Sequence, residues 1–273
     1  MEVLINELSL AGQFKDKDEF LDNFDSVLIM IKFIDRLGFS LLKEYSLFQS
    51  KVTVQFKLDD FLRLRTDRAR KMKQFLLKLA YNPPYWNDTQ KHNCSNDSYI
   101  YNSNNICNTS LAESSERDKI VLSFNHNSFL NSNLLVQKNN YDIDIYNFIN
   151  KDAFLEYLLS TSKIKALDYC QFKFEKSNLN FSHLNNIYGF DLLETSQQID
   201  EFIDSFRQFS QMSWSNITTS DGLQYKRYKG KEFDSKTIYK FRVTQKYRCF
   251  GYRENDVFFI LRFEIDHKIS DNG

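Results

Sequence analysis

The chain has 273 residues, of which 42% are hydrophobic and 26 are Phe, so it can form the core of one large domain or of two ordinary ones. Its 36 basic and 36 acidic side chains balance, and the N-terminus carries acidic residues where a signal peptide carries Lys or Arg. No apolar run approaches the roughly 18 residues that suggest a membrane helix, and we therefore expect a cytoplasmic protein.

The first part of the chain mixes helical and extended patterns. After a short apolar segment at residues 3–10, apolar residues at steps of three and four predict an amphipathic helix over residues 17–37. Residues 52–56 alternate with period two and predict a strand, and residues 58–80 predict a second helix. This second helix carries a basic run, for which a solvated helix face is the favoured interpretation and a nucleic-acid contact the alternative. The run consists of Arg63, Arg65, Arg68, Arg70, Lys71 and Lys73.

Residues 83–118 form a polar insertion rich in Asn and Ser, which predicts a long loop or a partly ordered excursion. It contains His92, Cys94 and Cys107, but these lack a paired C-x-x-C spacing and a fourth ligand, so we expect no metal. The four cysteines lie singly along the chain, and we expect free thiols at Cys94, Cys107, Cys170 and Cys249. Residues 120–124, 133–138 and 142–148 read as strands and residues 152–162 as a helix. Residues 1–177 are therefore predicted to form an α+β module.

The C-terminal part begins after an irregular polar stretch, residues 178–190, which we interpret as the linker. The next segment predicts a helix whose N-terminus is capped by Thr195 or Ser196. One face of this helix carries Ile199, Phe202, Ile203, Phe206 and Phe209. Strands are predicted over residues 238–244, 247–252 and 257–265, with a turn at residues 253–256 that fits an antiparallel hairpin. Residues 190–273 thus form a second α+β module, an antiparallel sheet with a packed helix.

Positive charge is concentrated in this second module. Between Gly222 and Arg253, ten residues are basic and two are acidic, a local charge of +8 in a neutral chain. Such segregation indicates a polyanionic partner, RNA or DNA. The basic residues alternate with tyrosines, which can stack unpaired bases, so a single-stranded nucleic acid fits best. The tyrosines are Tyr225, Tyr228, Tyr239, Tyr247 and Tyr252.

Strand periodicity sorts these side chains onto two faces. Tyr239, Phe241 and Val243 are predicted on one face of their strand, and Lys240 and Arg242 on the other. On the last strand we expect Val257, Phe259, Leu261, Phe263 and Ile265 on one face, and Arg262, Glu264 and Asp266 on the other. His267 follows, and an imidazole with an ordinary pKa of about 6.5 can exchange protons near neutral pH. A structural role for this lone histidine is the alternative to a catalytic one.

The sequence of these pieces, from the helix through "LQYKRYKGKEF" to "YKFRVTQKYRCFGYRENDVFFILRFEIDHK", resembles the RelE/HigB/YoeB-type toxins of bacterial toxin-antitoxin systems. The resemblance covers residues 199–269, about a quarter of the chain. It implies a RelE-like domain with a four-stranded antiparallel sheet and a packed helix. It also implies an endoribonuclease that cleaves mRNA, often on the ribosome, without a metal or another cofactor.

Carried over residue by residue, the resemblance assigns Arg248 to the scissile phosphate, Lys240 and Arg242 to the basic pair on the preceding strand, and His267 to the C-terminal histidine. The implied reaction is attack by the RNA 2′-OH on the adjacent phosphate. Some relatives use a glutamate as base, for which Glu232 is only an approximate positional match, so the base stays open. Further RNA contacts are predicted at Lys226, Arg227, Tyr228, Lys229, Lys231, Lys246, Arg253 and Lys268.

The function predicted from the sequence is therefore a toxin-like endoribonuclease effector in toxin-antitoxin or phage defence. Its expected partners are RNA, the ribosome, and an antitoxin or defence-system protein, and no membrane. The N-terminal module weakly resembles uncharacterised bacterial defence-associated proteins, a resemblance that supplies no chemistry. Our hypothesis for this module is a regulatory or recruiting role. Two alternatives stay open: a non-catalytic RNA- or ribosome-binding module, and a ParE-like inhibitor of a topoisomerase.

Overall fold

The computed structural model describes residues 1–230, 233 and 236–270. The chain divides into two compact units, Met1–Glu156 and Tyr157–Gly273. Each unit contains its own β-sheet and helices, which confirms the α+β class. Within the described residues, none of the helices combines the length and the apolar character needed to cross a bilayer.

The first unit is built on a mixed sheet. Its strands are β1 (Glu2–Ile5), β2 (Ser40–Leu42), β3 (Tyr99–Tyr101), β4 (Asn104–Asn105), β5 (Ile120–Leu122), β6 (Asn133–Lys138) and β7 (Tyr141–Phe148). Its helices are α1 (Lys17–Arg36), α2 (Asp67–Tyr81) and α3 (Ser110–Ser115), and α4 (Lys151–Ser160) begins in this unit and ends in the second. Short 3-10 helices span Glu7–Ser9, Leu47–Gln49, Leu58–Arg63, Trp86–Thr89 and Asn127–Phe129. The strand order is β2-β1-β5-β7-β6-β3-β4, with β2, β1, β5 and β7 parallel and the others antiparallel.

The long helix α1 confirms the prediction from apolar periodicity. Asp16 caps its N-terminus by accepting hydrogen bonds from the backbone N–H groups of Asp18 and Glu19. Its apolar stripe is buried, as the spacing of three and four residues requires. The predicted strands at residues 120–124, 133–138 and 142–148 and the helix after residue 150 are confirmed by β5, β6, β7 and α4.

The strand predicted at residues 52–56 is wrong. Thr53 Oγ1 accepts hydrogen bonds from the backbone N–H groups of Gln55 and Phe56, and the segment folds back into a bend. A short polar side chain here replaces a sheet partner for the backbone. The helix predicted over residues 58–80 is interrupted, because Thr66 caps a new helix, α2, after the 3-10 turn Leu58–Arg63.

The polar insertion at residues 83–118 contains regular secondary structure, which fits the partly ordered excursion and not the long loop. It supplies the edge strands β3 and β4 and the helix α3, and a disulfide joins Cys94 to Cys107 across the β3–β4 hairpin. The prediction of free thiols is therefore wrong for these two cysteines. Cys170 and Cys249 are buried and lie outside this disulfide.

The second unit carries an antiparallel sheet with one added parallel strand. Its helices are α5 (Ala166–Lys173), α6 (Ser196–Gln211) and α7 (Trp214–Thr219), with 3-10 helices at Asn186–Tyr188 and Phe190–Leu192. Its strands are β8 (Leu179–Asn180), β9 (Lys226–Arg227), β10 (Ile238–Arg242), β11 (Arg248–Glu254) and β12 (Val257–Glu264). In the described part of this unit the strand order is β8-β12-β11-β10-β9, and β8 pairs parallel to β12. The segment 178–190, predicted as a linker, thus contributes a strand to the sheet.

Helix α6 packs on one face of this sheet and forms the core of the second unit. Thr195 caps the helix by accepting a hydrogen bond from the backbone N–H of Gln198, as predicted. Phe202 and Phe206 on the buried face of α6 contact Phe263 of β12, with ring centroids 4.3 and 5.7 Å apart. Each buried aromatic ring removes a large apolar area from water, so these contacts stabilise the packing of α6 on the sheet. The opposite face of the sheet carries a smaller apolar cluster around Phe250 and Tyr252 together with charged side chains of the strands.

A β-bulge reverses part of the predicted face pattern of β12. The register shifts between Phe250 and Gly251, so Phe258 faces α6 while Phe259 stacks on Tyr252 on the opposite face. Period two predicted that Phe259 and Leu261 share a face with Phe263. This prediction is wrong, because the bulge turns Phe259 and Leu261 to the opposite face. Only glycine fits at position 251, because a Cβ there would lie 2.2 Å from the carbonyl oxygen of Phe259.

Candidate anion-binding cleft

The face of the second sheet opposite α6 carries rows of charged residues. Arg242, Arg248 and Glu264 occupy directly paired positions on β10, β11 and β12. The adjacent row begins with Lys226 and Lys240, which are paired on β9 and β10. Side chains at paired positions of neighbouring strands point to the same side of the sheet. The strand pairing therefore gathers cations that the chain separates by up to 22 residues.

A cleft of about 280 Å³ opens on this face, which we call the basic cleft. Among the described residues, it is lined by Gln224, Lys226, Arg227, Lys240, Arg248, His267 and Ser270. Three of the four predicted catalytic residues, Lys240, Arg248 and His267, thus meet in one place. Four cationic side chains and an imidazole around one small volume favour an anionic ligand.

Arg248 is held by the loop that joins β10 to β11. Its Nη1 donates hydrogen bonds to the carbonyl oxygens of Thr244, Gln245 and Tyr247, at 2.8, 3.2 and 2.8 Å. These contacts restrict the conformations of the Arg248 side chain and orient its planar guanidinium group at the cleft. The same hydrogen bonds connect Arg248 to the backbone of the β10–β11 loop and help to hold the loop in its conformation.

His267 lies in the turn that follows β12, with a backbone φ of 64°. Its Nε2 is 3.2 Å from the carbonyl oxygen of Gln245, and its Nδ1 is 3.0 Å from Ser270 Oγ. Arg248 Nη1 and His267 Nε2 therefore share one acceptor, the carbonyl oxygen of Gln245. The guanidinium and the imidazole lie on the same side of the sheet and within a few ångströms of each other.

Lys240 completes the group from β10. Its Nζ donates a hydrogen bond of 2.7 Å to the carbonyl oxygen of Ser270 and lies 5.5 Å from the ring centre of Tyr228. Tyr228 itself is buried in a small apolar cluster with Phe250, so its ring supports the sheet. Arg242 lies beside Arg248 but does not line the cleft, and its buried Nε has no hydrogen-bond partner in the described part of the chain.

The other predicted RNA-binding residues are dispersed. Lys226 and Arg227 are exposed at the basic cleft, and Lys229 lines a second cavity of about 570 Å³ beside Arg227. Lys246 is exposed on the β10–β11 loop. Lys231, and Glu232 as a candidate base, lie outside the described residues.

Arg253 and Lys268 are engaged elsewhere. Arg253 stacks on Trp214 at 3.9 Å and pairs with Asp256 at 3.1 Å, in the β11–β12 turn. Lys268 pairs with Asp266 at 2.6 Å, and this contact raises the pKa of Lys268. Neither residue lines the basic cleft.

The basic run of the first unit is compensated by carboxylates. Arg68 bonds Asp22 and Asp25 of α1, and its pKa is raised chiefly by the hydrogen bond to Asp22. Arg63 and Arg70 also lie in ion pairs, with aspartates three or four residues away. These surface pairs support the interpretation of the run as a solvated helix face.

Sequence reasoning missed Ser270 and the role of Glu264. Glu264 is 2% exposed, and its Oε1 accepts hydrogen bonds from the backbone N–H groups of Ile269 and Ser270, at 2.6 and 2.8 Å. Ser270 contacts Glu264, His267 and Lys240 through its amide, hydroxyl and carbonyl groups respectively. An acidic residue that ends an apolar strand was the one available signal, because Ser270 belongs to no motif.

The chain was also compared with known proteins. No protein-family model, curated protein or solved structure matches it. The residues of the basic cleft are therefore the basis for a functional proposal.

Proposed function

We propose that the protein is a toxin-like endoribonuclease that binds a backbone phosphate of RNA in the basic cleft and cleaves beside it. The observation that supports this function is the convergence of Lys240, Arg248 and His267 on one cleft, with exposed Lys226 and Arg227 at its edge. The resemblance of residues 199–269 to the RelE/HigB/YoeB-type toxins points to the same chemistry.

The cleft offers the contacts that a phosphodiester requires. Guanidinium and ammonium groups form charge-assisted hydrogen bonds with phosphate oxygens, and the planar fork of Arg can contact two oxygens at once. Arg248 is oriented by the carbonyl oxygens of its own loop, so a phosphate meets a guanidinium that is already positioned. Lys226 and Arg227 extend the same charge to the neighbouring backbone.

The proposed reaction is attack by the 2′-OH on the adjacent phosphorus. A base takes the proton of the 2′-OH, the bond from phosphorus to O2′ forms as the bond to O5′ breaks, and an acid protonates the departing O5′. We assign one of the two proton transfers to His267, and the stabilisation of the negative phosphate oxygens to Arg248 and Lys240. The products are a 2′,3′-cyclic phosphate and a 5′-OH end. Glu232 lies outside the described residues, so the second proton-transfer group is not assigned.

The decisive experiment incubates the purified chain with mRNA, with and without ribosomes, and maps the cut ends. We expect His267→Ala and Arg248→Ala each to lower the cleavage rate by about 10² or more, the usual effect of losing an acid–base group or a charge-stabilising donor. Arg65→Ala is the matched control, because it removes an exposed cation from the other unit. Equal cutting by the wild type and both cleft variants would exclude the basic cleft as the active site.

A second candidate is an RNA-binding module without catalysis. It is favoured by one observation: both ring nitrogens of His267 and the Nη1 of Arg248 contact protein groups, as structural residues do. This function predicts that RNA binds in the basic cleft and stays intact. If RNA is neither bound nor cut while a topoisomerase loses activity, the ParE-like alternative replaces both. A ribosome, an antitoxin or a defence-system partner would be sought by co-purification once one activity is established.

A further inference from the structure

The turn after β12 holds His267 through a chain of three contacts. Glu264 Oε1 accepts hydrogen bonds from the backbone N–H groups of Ile269 and Ser270. Ser270 Oγ in turn lies 3.0 Å from His267 Nδ1, and the other ring nitrogen lies 3.2 Å from the carbonyl oxygen of Gln245. Glu264 and Ser270 are both buried, at 2% and 9% exposure, so the half-buried His267 is held at the cleft from the interior side.

The two partners of the imidazole have different hydrogen-bonding abilities. A carbonyl oxygen accepts hydrogen bonds and cannot donate one, so the Nε2 that faces Gln245 carries a proton in both the neutral and the charged ring. A hydroxyl both donates and accepts, so Ser270 Oγ can bond Nδ1 with or without a proton on it. In this arrangement Nδ1 is the nitrogen that gains and loses a proton.

Glu264 keeps the serine in place. Glu264 is paired with Arg248 across β11 and β12, and its carboxylate is buried. Its Oε2 has no hydrogen-bond partner in the described part of the chain. A buried carboxylate is costly unless its contacts compensate for the lost water, and here Oε1 accepts two backbone hydrogen bonds. The turn that carries Ser270 and His267 is thereby fixed to the strand that flanks Arg248.

We propose that Ser270 and Glu264 are positioning residues for His267. Ser270 Oγ contacts Nδ1 and so orients the ring with Nε2 toward the carbonyl oxygen of Gln245, which leaves Nδ1 as the proton-exchanging atom. Glu264 holds Ser270 at the distance this requires. The inference deepens the function proposed above, since it names the reacting nitrogen of the same cleft. The contacts themselves exist without RNA, and they can be tested separately from cleavage.

The test uses the full chain labelled with ¹⁵N-histidine, in which the four histidines are resolved and His267 is identified by its loss in His267→Gln. Ring ¹⁵N shifts at alkaline pH report which nitrogen carries the proton. We expect the Nε2–H tautomer of His267 in the wild type and in Ser270→Thr, which keeps the hydroxyl. In Ser270→Ala we expect a mixture of tautomers, because the ring loses the contact that orients Nε2 toward the carbonyl oxygen of Gln245.

Cleavage kinetics provide a second measurement. We expect Ser270→Ala to lower kcat by about tenfold or more with little change in KM, and Ser270→Thr to restore most of the loss. Glu264→Gln keeps an oxygen acceptor but no charge. We expect faster amide exchange at Ile269 and Ser270 in this variant, by about tenfold, while thermal unfolding stays cooperative.

The outcomes separate the two proposals. A proton on Nδ1 in the wild type, or a Ser270→Ala variant with unchanged tautomer and unchanged kcat, would overturn the positioning role. The expected tautomers in all variants, combined with no RNA cleavage by the wild type, would support the positioning of His267 and overturn the nuclease function.

Discussion

Charged side chains are held in two different ways in the two units. In the first unit, the buried carboxylate of Glu113 bonds His92 Nδ1 at 2.5 Å and Arg117 Nε, and it accepts the backbone N–H groups of Lys91 and His92. Arg117 also bonds Glu2 and Thr89. In the second unit, Lys240 and Arg248 donate to backbone carbonyl oxygens and line an open cleft with exposed Lys226 and Arg227.

The difference shows which charges serve the fold and which can serve a ligand. Burial would raise the pKa of the Glu113 carboxyl, but the hydrogen bonds from His92 and Arg117 outweigh it, and the pKa is lowered. The ionised carboxylate is therefore the state that the surrounding residues stabilise. Exposed cations such as Lys226 and Arg227 at an open cleft can attract a mobile anion, whereas the charges of a buried ion pair are directed at each other.

The largest effect on stability is expected from breaking the Glu113 cluster. Glu113→Ala leaves Arg117 and His92 buried without their carboxylate, which should lower the free energy of unfolding by about 3–5 kcal/mol. Urea denaturation of the full chain measures this loss. Asp142→Ala is the control, since Asp142 is exposed on β7 and its loss should change stability by less than about 0.5 kcal/mol. Similar stability of the two variants would contradict a structural role for the cluster.

The second prediction concerns Glu7, a buried carboxylate of the same unit for which the described residues provide no ion pair. Burial, opposed by hydrogen bonds from Ser110, raises the pKa of Glu7 from 4.5 to about 7, and its Oε2 is buried without a partner among the described residues. Below pH 4.5 the carboxyl is protonated in folded and unfolded chains alike, so its titration does not lower the free energy of unfolding there. Between pH 4.5 and 7 the unfolded chain loses this proton while the folded chain keeps it. The free energy of unfolding therefore falls as the pH rises through this window.

The expected loss in the free energy of unfolding is on the order of 3 kcal/mol across this window. Urea denaturation of the wild type and of Glu7→Gln between pH 4 and 8 isolates it, because the variant cannot ionise at this position. The two stability curves should diverge as the pH rises through the window, with the wild type falling. Parallel curves would show that Glu7 titrates alike in both states.

The smallest effect is expected at the edge of the basic cleft. Lys226→Ala and Arg227→Ala each remove an exposed cation, so the slope of log Kd for single-stranded RNA against log salt should decrease by about 0.7 per substitution. Filter binding or fluorescence anisotropy at several salt concentrations gives the slope. Arg65→Ala of the first unit should leave it unchanged. If all three variants behave alike, the RNA does not contact the basic cleft.

Much of the candidate site was predictable because it lies on locally patterned strands. Lys240 and Arg242 on one face, Phe241 on the other, and the helix α6 with its Thr195 cap follow from side-chain periods of 2 and 3.6 and from the needs of a helix terminus. The chemistry of His267 follows from its imidazole alone. The site residues that were missed, Ser270 and Glu264, act through backbone contacts that leave no pattern of residue types.

By itself, the amino-acid sequence determined where α1, α6 and β10–β12 form and which strand faces carry charge, because these depend on neighbours within a few residues. Tertiary structure alone decided that Cys94 meets Cys107, that β8 joins the second sheet, and that Gly251 admits a bulge. It also decided that Arg248 and His267 share the carbonyl oxygen of Gln245. Such contacts join segments distant in the chain, and their formation depends on how whole elements pack, which no local period of side chains specifies.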